Sequence, residues 1–185
     1  MAVTLIYETH STTVDNETGH ATGWLPGELS PQGILNAQAL GQRRRDDGIA
    51  AVFCSDLRRA VQTATIAFDG TGIPLLLDWR LRETNYGDQN GMPTTTLHAS
   101  RHEHVHVPYP NGESWRQAAD RTLECLRDIV KRYDGRRIAV IGHAAQRYLL
   151  RSMFEGMSLE EAVNAPFEWQ EGWEYQFSAP GKEGG

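Results

Sequence analysis

Four short apolar runs constrain this chain more than any other feature: AVTLIY at 2–7, AVFC at 51–54, PLLL at 74–77 and RIAVI at 137–141. Each is apolar at successive positions and too short for a globular helix, the pattern of a buried strand. Helical patterns fall between them. Ser30-Pro31 joins a capping hydroxyl to a ring suited to a first turn, and predicts a helix through Ile34, Ala37 and Leu40 to near Asp47, stopped by Gly48. Ser55 is expected to cap a helix over 56–68. Trp115, Ala119, Thr122, Leu126, Ile129 and Tyr133 recur at steps of four and three, one face of a long helix opening at Ser114. Another helix follows His143 through 149–153, and Ser158 is placed to cap a short one over 159–164. WEYQF at 173–177 alternates like a last strand.

Strands alternating with helices specify an α/β fold, a three-layer sandwich with a mostly parallel central sheet and helices on both faces. It reads as a single domain over 1–180, with a lid-like insertion around 87–112 that looks irregular and a disordered tail at 181–185. In such sheets ligands bind beyond the carboxyl ends of the strands. The first candidates are therefore the segments 8–13, 55–59, 81–83 and 142–145.

Composition narrows the partners. The net charge is −6, and 16 of the 18 basic residues are arginine, Lys131 and Lys182 being the exceptions. An acidic chain without a lysine-rich block is a poor general nucleic-acid binder. No apolar run approaches the roughly 20 residues of a membrane span, so no membrane partner is expected. The first 20 residues lack the basic start and long apolar core of a secretory signal. Two cysteines, Cys54 and Cys125, make no disulfide framework, and both read as buried and inert in a reduced, cytoplasmic setting. Arginine, unlike lysine, grips anionic oxygens with a planar fork.

The loops beyond the strands hold a coherent set of groups. His10 and His143 each follow a strand, Arg59 lies at a helix start, and Glu83 follows PLLL within LRE. A nucleophilic imidazole, a guanidinium clamp, a second histidine and a carboxylic acid form a metal-free phosphoryl-transfer kit. No cofactor or metal is required, and the partner is a small-molecule substrate. A homodimer stays open.

The order of these blocks resembles the histidine phosphatase, or phosphoglycerate-mutase-like, superfamily over most of the chain. SDLRRAVQTA at 55–64 is similar to the family's clamp helix and implies that role for Arg59. LRETNYGDQNG at 81–91 resembles the acid block, with Glu83 in the acid position, and GES at 112–114 the segment opening the long helix. VIGHAAQRYLL at 140–150 resembles the second-histidine block. Asn16, GWL at 23–25 and LSPQG at 29–33 also fall at the family's spacings. The resemblance implies a phosphohistidine on His10, transition-state support from Arg59 and His143, leaving-group protonation by Glu83, and hydrogen bonds from Thr13 and Asn16. A chain of 185 residues has little room for the insertions that shield a phosphoenzyme from water, so a phosphatase is expected over a mutase.

The first block departs from the family's Arg-His-Gly-Glu-Thr. Here it reads Thr9-His10-Ser11-Thr12-Thr13, so a clamp arginine has become Thr9 and a glycine Ser11. The second block has Ala144-Ala145 where the family has two glycines. Three readings stand. Arg80, Arg82 or Arg101 supplies the missing guanidinium; or His10, Glu83 and His143 perform acid–base chemistry on a non-phosphorylated substrate; or the chain is a non-catalytic anion-binding module. Glu8 is expected to pair with Arg59 or to act as a base. Trp24, in the loop after His10, is expected to line the pocket with Thr9, Ser11, Arg82 and Ala144. On an extended segment His102, His104 and His106 would share a face suited to a metal, but no second ligand block accompanies them. With His98 they read instead as lid residues contacting substrate.

Overall fold

A computed structural model describes residues 1–178; the tail expected to be disordered lies outside them. In chain order the elements are β1 (Ala2–Thr9), α1 (Val14–Glu17), β2 (His20–Ala21), α2 (Pro31–Arg44), β3 (Ile49–Cys54), α3 (Arg58–Phe68) and β4 (Leu75–Leu77). Then come β5 (Met92–Pro93), α4 (Thr94–Ser100), α5 (Trp115–Arg132), β6 (Arg137–Gly142), α6 (Ala144–Phe154), α7 (Leu159–Asn164) and β7 (Trp173–Ser178).

The central sheet has the order β4-β3-β6-β1-β7. Its first four strands are parallel, and β7 runs antiparallel to β1 at the edge. Parallel strands are covered on both faces, which explains the unbroken apolar runs. Val3, Leu5, Tyr7, Ile138 and Val140 face α5 and α6, whereas Ile6, Val52, Ala139 and Ile141 face α2 and α3. Small residues let α2 and α3 pack closely against each other. A Cβ on Gly41 of α2 would lie 2.2 Å from the Ala67 carbonyl oxygen of α3. Thr9 pairs with Gly142, and Cys54 with Ile141, so β1, β3 and β6 end level with one another. His10, Ser55 and His143 leave the sheet at that common rim.

Three local expectations need correction. The α2 helix ends at Arg44, short of Asp47, although Gly48 does turn the chain at φ +67°. The α3 helix begins at Arg58 behind Leu57, without a side-chain cap; the Ser55 hydroxyl reaches only the Leu57 N–H, at 3.4 Å, and contacts His143. Residues 87–112 are not irregular: β5 pairs with β2, α4 follows, and one-turn 3-10 helices occupy Gly87–Gln89 and Arg101–His104. That segment orders itself by burying Leu97, Arg101, Val105 and Tyr109. Its helical turn also separates the histidines. His104 stacks on Tyr109 with centroids 3.8 Å apart, and His106 contacts Glu160. Among the described residues no three His, Cys, Asp or Glu side chains are grouped to hold a metal ion. Among them too, no helix is long and apolar enough to cross a membrane.

Candidate active site

His10 stands just past β1, its backbone N–H donating to the Gly142 carbonyl at 2.9 Å. Its ring Nδ1 lies 2.8 Å from the Ser11 carbonyl oxygen. A carbonyl only accepts, so Nδ1 carries the proton and the Nε2 lone pair is free for nucleophilic attack. Burial, reinforced by the Arg59 charge, lowers the pKa of His10 to about 3, so the ring is neutral. Ser11 is held in turn, its N–H donating to Thr63 Oγ1 at 2.9 Å.

His143 is completely buried, 5.0 Å from the His10 ring between centroids. Its Nε2 lies 2.7 Å from Ser55 Oγ, while its Nδ1 is buried without a partner. Ser55 Oγ accepts the Leu57 N–H at 3.4 Å, so its own hydrogen goes to Nε2 and the imidazole proton sits on Nδ1. Burial and the Arg59 charge lower this histidine's pKa as well. Its backbone N–H is received by Gln146 Oε1 at 2.8 Å, and the Gln146 amide reaches Thr122 Oγ1 at 3.0 Å.

Arg59 is only 2% exposed. Its guanidinium donates to the carbonyls of Leu25 at 3.0 Å and Gly23 at 2.8 Å, and no carboxylate of the described residues pairs with it. A buried cation without a counter-ion is costly, and an anion completes it. The sequence expectation that Glu8 pairs with Arg59 fails. Glu8 faces α2 and binds Arg44 Nε at 2.7 Å and Arg43 Nη2 at 3.1 Å. Those arginines therefore do more than end a helix.

Glu83 sits at the amino end of α6. Its Oε1 accepts from the N–H groups of Thr84 at 2.8 Å and Ala145 at 3.1 Å, and its Oε2 from Ala144 at 3.1 Å. Burial raises its pKa, opposed by these N–H groups and by Arg59. Arg121 pins the turn that carries it, donating to the carbonyls of Arg80, Arg82 and Glu83 while paired with Glu113.

Two cavities meet at His10, Glu83 and Ala144, and Asn16 borders both. The smaller, of about 270 Å³, adds Arg59, Arg101, His20, His98 and an aromatic wall of Tyr86, Trp115 and Tyr148. The larger, of about 650 Å³, adds Thr9, Ser11, His143 and Arg43. Three expected binding residues lie elsewhere. Thr13 is fully buried and its hydroxyl caps α1 through the Asn16 N–H at 3.0 Å. The Trp24 indole N–H holds the Glu83 carbonyl at 2.7 Å, and its ring borders a separate groove with Leu57 and Val61. Arg82 stacks on Trp24 and pairs twice with Asp56, both contacts at 2.6 Å. These residues fix the loops around the cavity instead of lining it. Ser55, Thr63 and Gln146 lie inside the sequence blocks that carry the resemblance but have no individual site role there, and Arg121 carries no signal in the sequence.

The rim of the sheet thus joins two neutral histidines, a buried guanidinium and a buried carboxyl group. The chain belongs to the histidine phosphatase superfamily (branch 1), whose family pattern matches residues 9–173. It is 32% identical over 154 residues to a 2,3-bisphosphoglycerate-dependent phosphoglycerate mutase of Methylobacterium sp. (strain 4-46), covering 75% of this chain and 74% of the relative. Bacillus stearothermophilus YhfR superposes with a TM-score of 0.84 at 26% identity, over 97% of this chain and 92% of that one. The mycobacterial glucosyl-3-phosphoglycerate phosphatase superposes at 0.75 and 25% identity, over 88% and 84% of the two chains.

Proposed function

We propose that this protein is a phosphatase that hydrolyses a small phosphorylated metabolite through a phosphohistidine on His10. The observation that carries this reading is the buried Arg59 guanidinium, free of any described carboxylate, beside an imidazole whose free nitrogen is the nucleophilic one. Phosphorus accepts the Nε2 lone pair as the bond to the leaving oxygen breaks. Arg59 and the His143 Nδ1–H stabilise the non-bridging oxygens, and positive charge comes from side chains without a metal. Protonated Glu83 gives its proton to the departing alkoxide. Water then attacks the phosphohistidine, Glu83 takes a proton from it, and phosphate leaves with His10 restored. Two cavities that meet at His10 leave space for water as well as an alcohol moiety, which favours hydrolysis over transfer back to substrate.

The test is a panel of small phosphomonoesters with rapid quenching. Turnover with an acid-labile phosphoprotein that disappears in His10→Ala is the expected result. Unchanged turnover in both His10→Ala and Arg59→Ala overturns the mechanism.

A further inference from the structure

A phosphoryl group presents three non-bridging oxygens, and the rim of the sheet offers them one buried guanidinium. Thr9 brings none. Of the arginines expected to compensate, Arg80 pairs with Asp78 and Asp128, and Arg82 with Asp56. Arg101 does line the smaller cavity, but it is tied to the Tyr148 hydroxyl and to the carbonyls of Asn164 and Ala165.

Arg43 differs from all three. It comes from the last turn of α2 and lines the larger cavity together with Thr9, His10 and His143. Its Nε is buried with no partner. Its Nη2 donates to Glu8 at 3.1 Å, while Nη1 reaches only 3.8 Å from the exposed Glu171. Glu8 is held independently by Arg44 at 2.7 Å. The carboxylate therefore keeps a counter-ion if Arg43 turns away from it, and the guanidinium has donors to spare.

We propose that Arg43 is the second guanidinium of the anion site, reaching a non-bridging phosphoryl oxygen from the larger cavity in place of an arginine at position 9. The proposal rests on the phosphatase reading and makes Arg43 a catalytic residue contributed by a helix. Arg44, which shares Glu8 but lines neither cavity, is the natural control.

The experiment compares Arg43→Met, Arg44→Met and the double variant Thr9→Arg/Arg43→Met. It measures kcat/KM on a phosphomonoester, affinity for vanadate, and thermal midpoint. Arg43→Met is expected to lose roughly 10²-fold in kcat/KM and a comparable factor in vanadate affinity, the size of one lost oxyanion donor. Arg44→Met is expected to lower the midpoint and, because Glu8 then keeps only Arg43, to lose part of kcat/KM, but at least about tenfold less than Arg43→Met, since the phosphoryl-binding guanidinium itself is still present. The double variant should recover at least about tenfold of the loss, because either arginine supplies the same fork. The proposal is overturned if Arg43→Met stays near wild type, if Arg44→Met loses as much, or if position 9 gives no rescue. If wild type hydrolyses no phosphomonoester, the phosphatase reading fails by itself. The vanadate affinity of Arg43→Met against wild type then still decides the role of the arginine.

Discussion

Ser55 Oγ lies 2.7 Å from His143 Nε2 and accepts the Leu57 N–H at 3.4 Å, which directs its own hydrogen to the imidazole. A donor at Nε2 leaves the proton on Nδ1, a buried atom with no acceptor among the described residues. Replacing Ser55 by Ala removes the constraint at little cost in volume. Turnover is expected to fall roughly 10- to 100-fold, the worth of about 1–3 kcal/mol for a buried hydrogen bond. Ser55→Thr should keep most of the activity. Imidazole nitrogen shifts of His143 by NMR should move with the Ala variant and not with the Thr variant. A structural role alone would leave them in place.

Much of the site was legible because it lies at the carboxyl ends of strands, where short apolar runs point directly to it. His10, Arg59, Glu83 and His143 all sit at such ends or just beyond. The residues that orient them were hidden for a physical reason. Ser55 is 88 residues from His143, and a serine after a strand is also what a helix cap looks like. Thr13 and Asn16 carried the opposite ambiguity, since a capping box uses the same groups that would bind a ligand. The 87–112 segment hides its helical turns because they are stabilised by burial of Leu97 and Arg101, not by local periodicity. Glu8 could not be assigned from its position beside the site. Which face of β1 it takes depends on strand alternation, and that face belongs to α2.

Glu83 should govern the alkaline side of the rate profile. Its pKa lies above the usual 4.5 because burial disfavours the charged form, and only the protonated acid can serve the leaving group. Turnover is therefore expected to decline as pH rises through that raised value. Glu83→Gln should lower kcat on poor leaving groups by roughly 10²- to 10⁴-fold and flatten this limb. Nitrophenyl phosphate, whose leaving group needs little protonation, should suffer far less. Equal losses on both substrates would remove the acid role.

Gly33 tests how tightly α2 is bound to the first loop. A Cβ there would lie 1.9 Å from the Thr12 carbonyl oxygen, which also receives the Ser30 N–H at 3.0 Å. Neither the helix nor the loop can yield without moving backbone two residues from His10. Gly33→Ala is expected to cost about 1–3 kcal/mol in a denaturant titration. It should also reduce kcat/KM, although the side chain touches no substrate. A variant as stable and as active as wild type would show that the loop has slack.

The neutral histidines should make the fold sensitive to mild acid. His10 titrates at about 3 in the folded chain and near 6.5 once unfolded, and His143 is shifted the same way. Between those values the unfolded state binds protons that the folded state refuses, so stability is complete above pH 6.5 and is lost as pH falls. Asp56 and Asp78, whose pKa values are lowered from 3.8 by Arg82 and Arg80, remove stability only at lower pH. Glu83, with its raised pKa, has the opposite sign and gains stability as it protonates. Glu83 is common to wild type and to a His10 variant, so the difference between their curves from about pH 6.5 down to 5 isolates the histidine. Urea midpoints measured across that range should fall for wild type and fall less steeply for His10→Asn, which keeps the polar ring position without a proton to gain. Parallel curves for the two proteins would mean that His10 is not held neutral by its burial.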